Sequence, residues 1–234
     1  LAARRVDQGE QYFTSAYDFG FSKTYQETFK FWDKEQVLKE AVWIIRKLQP
    51  DVIITRFPPD ERGGHGHHQA SAILAQEAFI AAANPTIFPE QLQYVKPWKA
   101  KRLLWNTFNF SGLNTIKENQ LQIDIGEYNP LLGKSYGEIS AESRSKHKSQ
   151  GFGTAAQVGN AKEYFEFVAG EKANNSLFDQ IDDSWGRIKN GQQIAHLLSE
   201  IDKEYLINAP EKSIPKLTKA LNLVQKIDDV YWKE

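Results

Sequence analysis

The sequence predicts an α/β protein: a three-layer, mostly parallel, doubly wound (Rossmann-like) sheet over residues 1–170, followed by a helical extension over 171–234. Three observations predict it. An amphipathic helical period runs straight into a short β-branched segment, Val52-Ile53-Ile54-Thr55. A Gly- and Pro-rich loop and an Ala-rich helix follow it, and helix, strand, loop, helix is the αβα half of a doubly wound sheet. Beyond residue 170 the apolar spacing is helical only.

Taken in order, Lys34–Leu48 carries Val37, Leu38, Ala41, Val42, Ile44, Ile45 and Leu48 on one stripe, the pattern of a helix buried along one face. Asp33 is its N-cap and Gln49-Pro50 its stop. Val52–Thr55, continuously apolar, suits a central parallel strand buried on both faces. Arg56-Phe57-Pro58-Pro59-Asp60-Glu61-Arg62-Gly63-Gly64 is a loop by composition. A helix then runs from about His67 or His68 to Ala83, ended by Asn84-Pro85. Further strands are expected at Arg102–Phe108, Leu121–Ile125 and Tyr164–Val168. Between the last two, Ser135-Tyr136-Gly137-Glu138 has the capping-box spacing and opens a helix to about Lys148, with Gly151-Phe152-Gly153 as the loop beyond it. Leu177–Ile188 and Gln193–Tyr205 read as helical. Ser213-Ile214-Pro215 opens a last helix, Pro being tolerated in a first turn. Phe29, Phe31, Trp32, Trp43 and Trp105 are expected in the core, and His196 as a partly buried structural histidine.

Composition narrows the function. In 234 residues, 41% are apolar and 25% charged, ordinary globular usage. The net charge of −1 argues against an electrostatic nucleic-acid binder. No apolar run approaches the roughly 18–20 residues of a membrane span. The chain has no Cys, which removes disulfides, thiolate metal sites and Cys nucleophiles, and leaves the compartment open. It has no Met either, and its opening, Leu1-Ala2-Ala3-Arg4-Arg5, is neither an initiator nor a signal peptide, so the chain reads as a segment or a processed product. The oligomeric state is open, a homo-oligomer included.

The chemistry concentrates in Gly63-Gly64-His65-Gly66-His67-His68. Three of the five histidines lie within four residues, at the junction of a strand-following loop and a helix. Ligands of open α/β sheets bind beyond the carboxyl ends of the strands. Imidazole is the commonest metal ligand and changes charge near neutral pH. His65 and His68, three apart, can face one crevice while His67 points elsewhere. A simple capping turn would not need three histidines. A zinc site needs further ligands from other elements, since it takes three protein donors. Arg56 leaves the strand end toward the crevice and is a candidate for binding a hydroxyl or an anion. Asp60 is a candidate for orienting an imidazole from behind.

The run Pro50–Thr55 followed by Gly64-His65-Gly66-His67-His68 resembles the second motif of the LmbE-like (PIG-L) family, usually Gly-His-Pro-Asp-His ahead of a helix. Ser145-Lys146-His147-Lys148-Ser149-Gln150 is similar to that family's late His-x-Ser-Gln, and Tyr17-Asp18-Phe19-Gly20 to the place of its sugar-contacting Asp. The resemblance covers residues 1–170. It implies a zinc-dependent hydrolase that removes acetyl from an N-acetylated, N-acetylglucosamine-like sugar. His68 would be a zinc ligand, another divalent ion being compatible with such donors. His65 would stabilise the oxyanion or protonate the leaving amine. Asp18 and His147 would contact substrate.

Two departures stand out. Gly66 replaces Pro, and His67 replaces an Asp that would raise the basicity of its neighbouring imidazole. The family's first motif, Ala-His-Pro-Asp-Asp, with its His and Asp ligands and its general base, is absent. The chain is therefore expected to lack part of the metal site and to be metal-poor and inactive by itself. The competing expectation is a non-catalytic carbohydrate-binding or scaffolding domain. Nucleotide binding has little support, since no Gly-x-Gly-x-x-Gly or P-loop follows a strand.

Overall fold

The structure, a computed structural model, describes residues 2–110, 112–150 and 153–229; the Gly151-Phe152 part of the expected loop lies outside the described residues. The chain divides into two compact units, Leu1–Tyr128 with Lys134–Asp179, and Asn129–Gly133 with Gln180–Glu234.

The first unit is mixed α/β. It opens with α1 (Ala2–Asp7) and a single turn, α2 (Tyr25–Thr28). Next comes α3 (Lys34–Leu48), capped by the Asp33 side chain, which accepts from Gln36 N, and closed by Gln49 in the left-handed conformation. Strand β1 (Val52–Thr55), helix α4 (Gly66–Ala81) and strand β2 (Arg102–Thr107) form a βαβ unit, and β1 and β2 pair in parallel, as a helical crossover permits. The short strands β3 (Asn109–Phe110) and β4 (Leu113–Asn114) form a hairpin before β5 (Leu121–Asp124). After β6 (Tyr128–Asn129) and β7 (Lys134–Ser135) come α5 (Tyr136–Ser145) and the long strand β8 (Lys162–Gly170).

The four-stranded sheet has the order β1-β2-β8-β5. β8 runs antiparallel to both β2 and β5, so among the described strands the sheet is mixed, with one parallel pair. The expectation for β1 needs correction. It lies at an edge of this sheet with Ile54 45% exposed, and the strand buried along nearly all its length is β2, where Leu103, Leu104 and Trp105 are sealed. Phe31, expected in the core, is 52% exposed, whereas Trp32 and Trp105 are buried.

Helices α3 and α4 pack along their length. Trp32, Val37, Ala70 and Leu74 form one cluster and Val42, Ala78, Ala81 and Ala82 another. The alanines of α4 bring the two helices close, and both N-terminal ends lie on the side of the first cluster. At α5 the capping box is complete: Ser135 Oγ accepts from Glu138 N, and the Glu138 carboxylate accepts from Ser135 N at 2.8 Å. Ser135→Ala is expected to lower stability by about 1 kcal/mol, read as a shift of the urea midpoint at unchanged slope. α5 ends at Ser145, short of Lys148.

The second unit holds α6 (Gln192–Glu204) and α7 (Ile214–Val224), with a core of Ile188, Ile194 and Ile227 flanked by Trp185, Leu198 and Leu223. The helix expected over Leu177–Ile188 is reduced to a 3-10 turn at Trp185–Arg187. His196 is not buried: α6 turns Ile194 and Leu197 inward, and the His196 side chain, 76% exposed, faces Glu200 at 3.4 Å. No helix among the described residues is long and apolar enough to cross a membrane.

Candidate functional site

The loop after β1 builds the site. Its backbone tightens into a 3-10 turn at Glu61–Gly63, with Asp60 as cap. Gly64, at φ +76°, then redirects the chain so that His65 becomes the N-cap of α4 in extended conformation. His65 makes no side-chain capping bond, so its imidazole is left for the crevice rather than for the helix end.

His68 sits in the first turn of α4. Its Nδ1 lies 2.8 Å from the Gly63 carbonyl and its ring stacks on Phe57, centroids 3.6 Å apart and planes 3° apart. A carbonyl can only accept, so Nδ1 carries the proton and the Nε2 lone pair is free, the tautomer of a metal-binding or proton-accepting histidine. Burial holds the His68 pKa below the usual imidazole value and so favours the neutral ring, with the Gly63 bond acting in the opposite direction. The His65 and His68 rings are 5.2 Å apart, centroid to centroid, a spacing that suits two imidazoles bound to one cation at about 2.0–2.1 Å each.

His67 turns the other way. Its Nδ1 is 3.0 Å from Ser22 Oγ, its ring stacks on Phe19 at 4.5 Å and meets the edge of Trp32 at 5.3 Å, and its buried Nε2 has no hydrogen-bond partner. These residues, with the segment ahead of α2, enclose a crevice of about 520 Å³ lined by Asp18, Gly20, Phe21, His65, His67 and His68. Asp18 accepts from Gly20 N at 2.9 Å through one oxygen and is among the lining residues.

Four of the residues singled out in the sequence therefore meet in one crevice: Asp18, His65, His67 and His68. Three others lie elsewhere. Arg56 donates to the Asn106 side chain and lies over the Phe108 ring at 5.6 Å, while Asn106 donates to Glu163. Asp60 is engaged by Arg62 at 2.7 Å, and that guanidinium covers Trp105. His147 is exposed just past α5, its backbone N bonded to Arg144 O. Phe21 and Phe57 were not singled out. The Phe19-Gly20-Phe21 run beside Asp18, and an aromatic one residue before Pro58-Pro59, are the sequence signals that mark them.

The fit to zinc is partial. Two imidazoles converge, but among the described residues no group of three His, Asp or Glu side chains is placed to hold a metal ion. The described residues thus do not complete a zinc site, which takes three protein ligands. No protein-family model matches the chain, and no curated protein matches it in sequence.

Proposed function

We propose that the crevice is the imidazole-bearing part of an N-deacetylase site for an N-acetylated, N-acetylglucosamine-like sugar, in a zinc-dependent hydrolase of the LmbE-like kind. The observation that carries the reading is the pairing of His65 and His68 at the carboxyl end of β1, with the His68 tautomer set by Gly63. In this reading Asp18 accepts hydrogen bonds from sugar hydroxyls. His65, free of capping duty, donates to the oxygen of the acetyl group as charge builds on it, or passes a proton to the departing amine. His68 offers Nε2 as a ligand, and the described residues supply no third ligand beside it. The same reading carries the finer fold proposal, a three-layer, doubly wound domain; the parallel β1–α4–β2 unit supports it.

The test compares the 234-residue chain with a chain extended at its N-terminus, measuring bound zinc after dialysis and acetate released from N-acetylglucosamine and its conjugates. The extended chain is expected to hold zinc and release acetate. In it, His65→Ala should lose about 10²–10⁴-fold in rate with zinc retained, and His68→Ala should lose the metal. One tightly held zinc in the 234-residue chain would refute this ligand assignment, and an extended chain that releases no acetate would refute the activity. The second reading, a carbohydrate-binding domain without catalysis, is favoured by the missing third ligand among the described residues. It predicts sugar binding with no acetate release from either chain.

A further inference from the structure

Gly66 and His67, the two positions that depart from the resembled motif, are the two that fix residues 17–24 against α4. Gly66 N donates to Ser22 O at 2.9 Å. Thr28 Oγ1 donates to Thr24 O, so it accepts the Ser22 hydroxyl proton at 2.8 Å, and Ser22 Oγ in turn accepts from His67 Nδ1–H. Ser22 and Thr28 are buried. Phe19 is clamped between the rings of His67 and Phe31, and Trp32 Nε1 donates to Tyr17 O at 2.8 Å. This segment is a lip held at several points, not a loose loop.

From that lip one large apolar side chain projects outward. Phe21 follows Gly20, whose φ of +95° favours glycine, and precedes buried Ser22, so its backbone is fixed on both sides. Its ring is 73% exposed, lines the crevice, and meets the His65 ring edge-on at 5.1 Å. A flat apolar face beside a carboxylate and two imidazoles complements a pyranose: ring C–H groups lie on the aromatic face while hydroxyls reach Asp18. An acyclic amide has no such face to offer.

We propose that Phe21 is the stacking platform for the sugar ring and makes the crevice selective for cyclic sugar amides over acyclic ones. The proposal rests on the reading of the crevice as a site for an N-acetylated sugar. The experiment is saturation-transfer NMR with titration on the 234-residue chain. The probes are N-acetylglucosamine, its β-1,4-linked dimer, and N-methylacetamide as the ring-less control. Saturation should be strongest at the pyranose ring C–H protons. Phe21→Ala and Phe21→Leu should weaken sugar binding about five- to tenfold, Phe21→Trp should keep it, and N-methylacetamide should respond to none of them. Because the ring is exposed, these variants should melt like the parent. If Phe21→Ala binds the sugars as the parent does while His65→Ala loses them, the platform is refuted and the sugar reading stands. If the parent chain binds neither sugar, the sugar reading fails and takes the platform with it.

Discussion

Arg46→Ala is expected to remove about 3–5 kcal/mol of stability, roughly 10 °C in melting temperature, the largest loss foreseen for any single side chain in the first unit. Arg46 leaves the last turn of α3 fully buried, with no carboxylate of the described residues in hydrogen-bond contact. Its guanidinium instead donates to the carbonyls of Ala81, Ala82, Asn84, Ile87 and Phe88 and to the side-chain oxygen of Gln91, at 2.8–3.3 Å. Two of these, Ala81 O and the C-cap Ala82 O, stand at the end of α4, where the helix carries its negative pole. One planar fork thus closes the end of α4 and shapes the turn that follows it. Ala81 O, Ala82 O, Asn84 O and Phe88 O each keep a backbone N–H, but removing the guanidinium takes from Ile87 O and Gln91 Oε1 the donor they have here and leaves a buried void where a large side chain stood. Arg46→Lys keeps the charge but offers one point of donation in place of a fork, and should recover less than half of the loss. Urea unfolding followed by tryptophan fluorescence gives the measurement. A midpoint within error of the parent for Arg46→Ala would mean that water replaces the guanidinium without cost.

Arg46 also marks where sequence reasoning stops. The apolar period of α3 defined both its ends, because that stripe, Asp33 and Gln49-Pro50 are local signals that agree with the packing. β1 and the α5 capping box were legible for the same reason. A basic residue in the last turn of a helix ordinarily faces solvent and supports the dipole of its own helix. That Arg46 serves the end of α4 depends on residues some 35 to 45 positions further on, and no local pattern announces it. Strand direction is similar. β8 reads as a strand, but its antiparallel pairing depends on how the chain returns from α5. At the site, His65, His67 and His68 were visible as an unusual cluster, and Asp18 through the resemblance. The lip that carries Phe21 was not visible, since its fixing points, Ser22, Thr28 and Trp32, are ordinary residues made structural only by tertiary contact.

Gly66→Ala tests that contact most directly, and is expected to cost about 3 kcal/mol or more and, under the proposed function, to abolish sugar binding. A Cβ on Gly66 would overlap the Thr24 carbonyl oxygen and lie 2.6 Å from Ser22 Oγ. The first obstacle is backbone, pinned by Thr28 and α2, so it cannot swing aside as the tip of a long side chain would. Relief requires lifting the lip, which breaks the Gly66 N to Ser22 O bond and the His67–Ser22 bond, and exposes the buried edge of Trp32. The same geometry accounts for glycine at position 66. Proline, favoured at the first position of a helix elsewhere, would here bring both the forbidden Cβ and the loss of an N–H already in use. Gly66→Pro should therefore be no milder than Gly66→Ala. Both variants should show faster amide exchange at Gly20 and Tyr25, whose N–H groups are bonded within the lip and to Gln69, while amides of β2 stay protected. Parent-like exchange at Gly20 and Tyr25 in a folded Gly66→Ala protein would show that the lip tolerates the methyl group, and the account of why glycine stands at position 66 would fail.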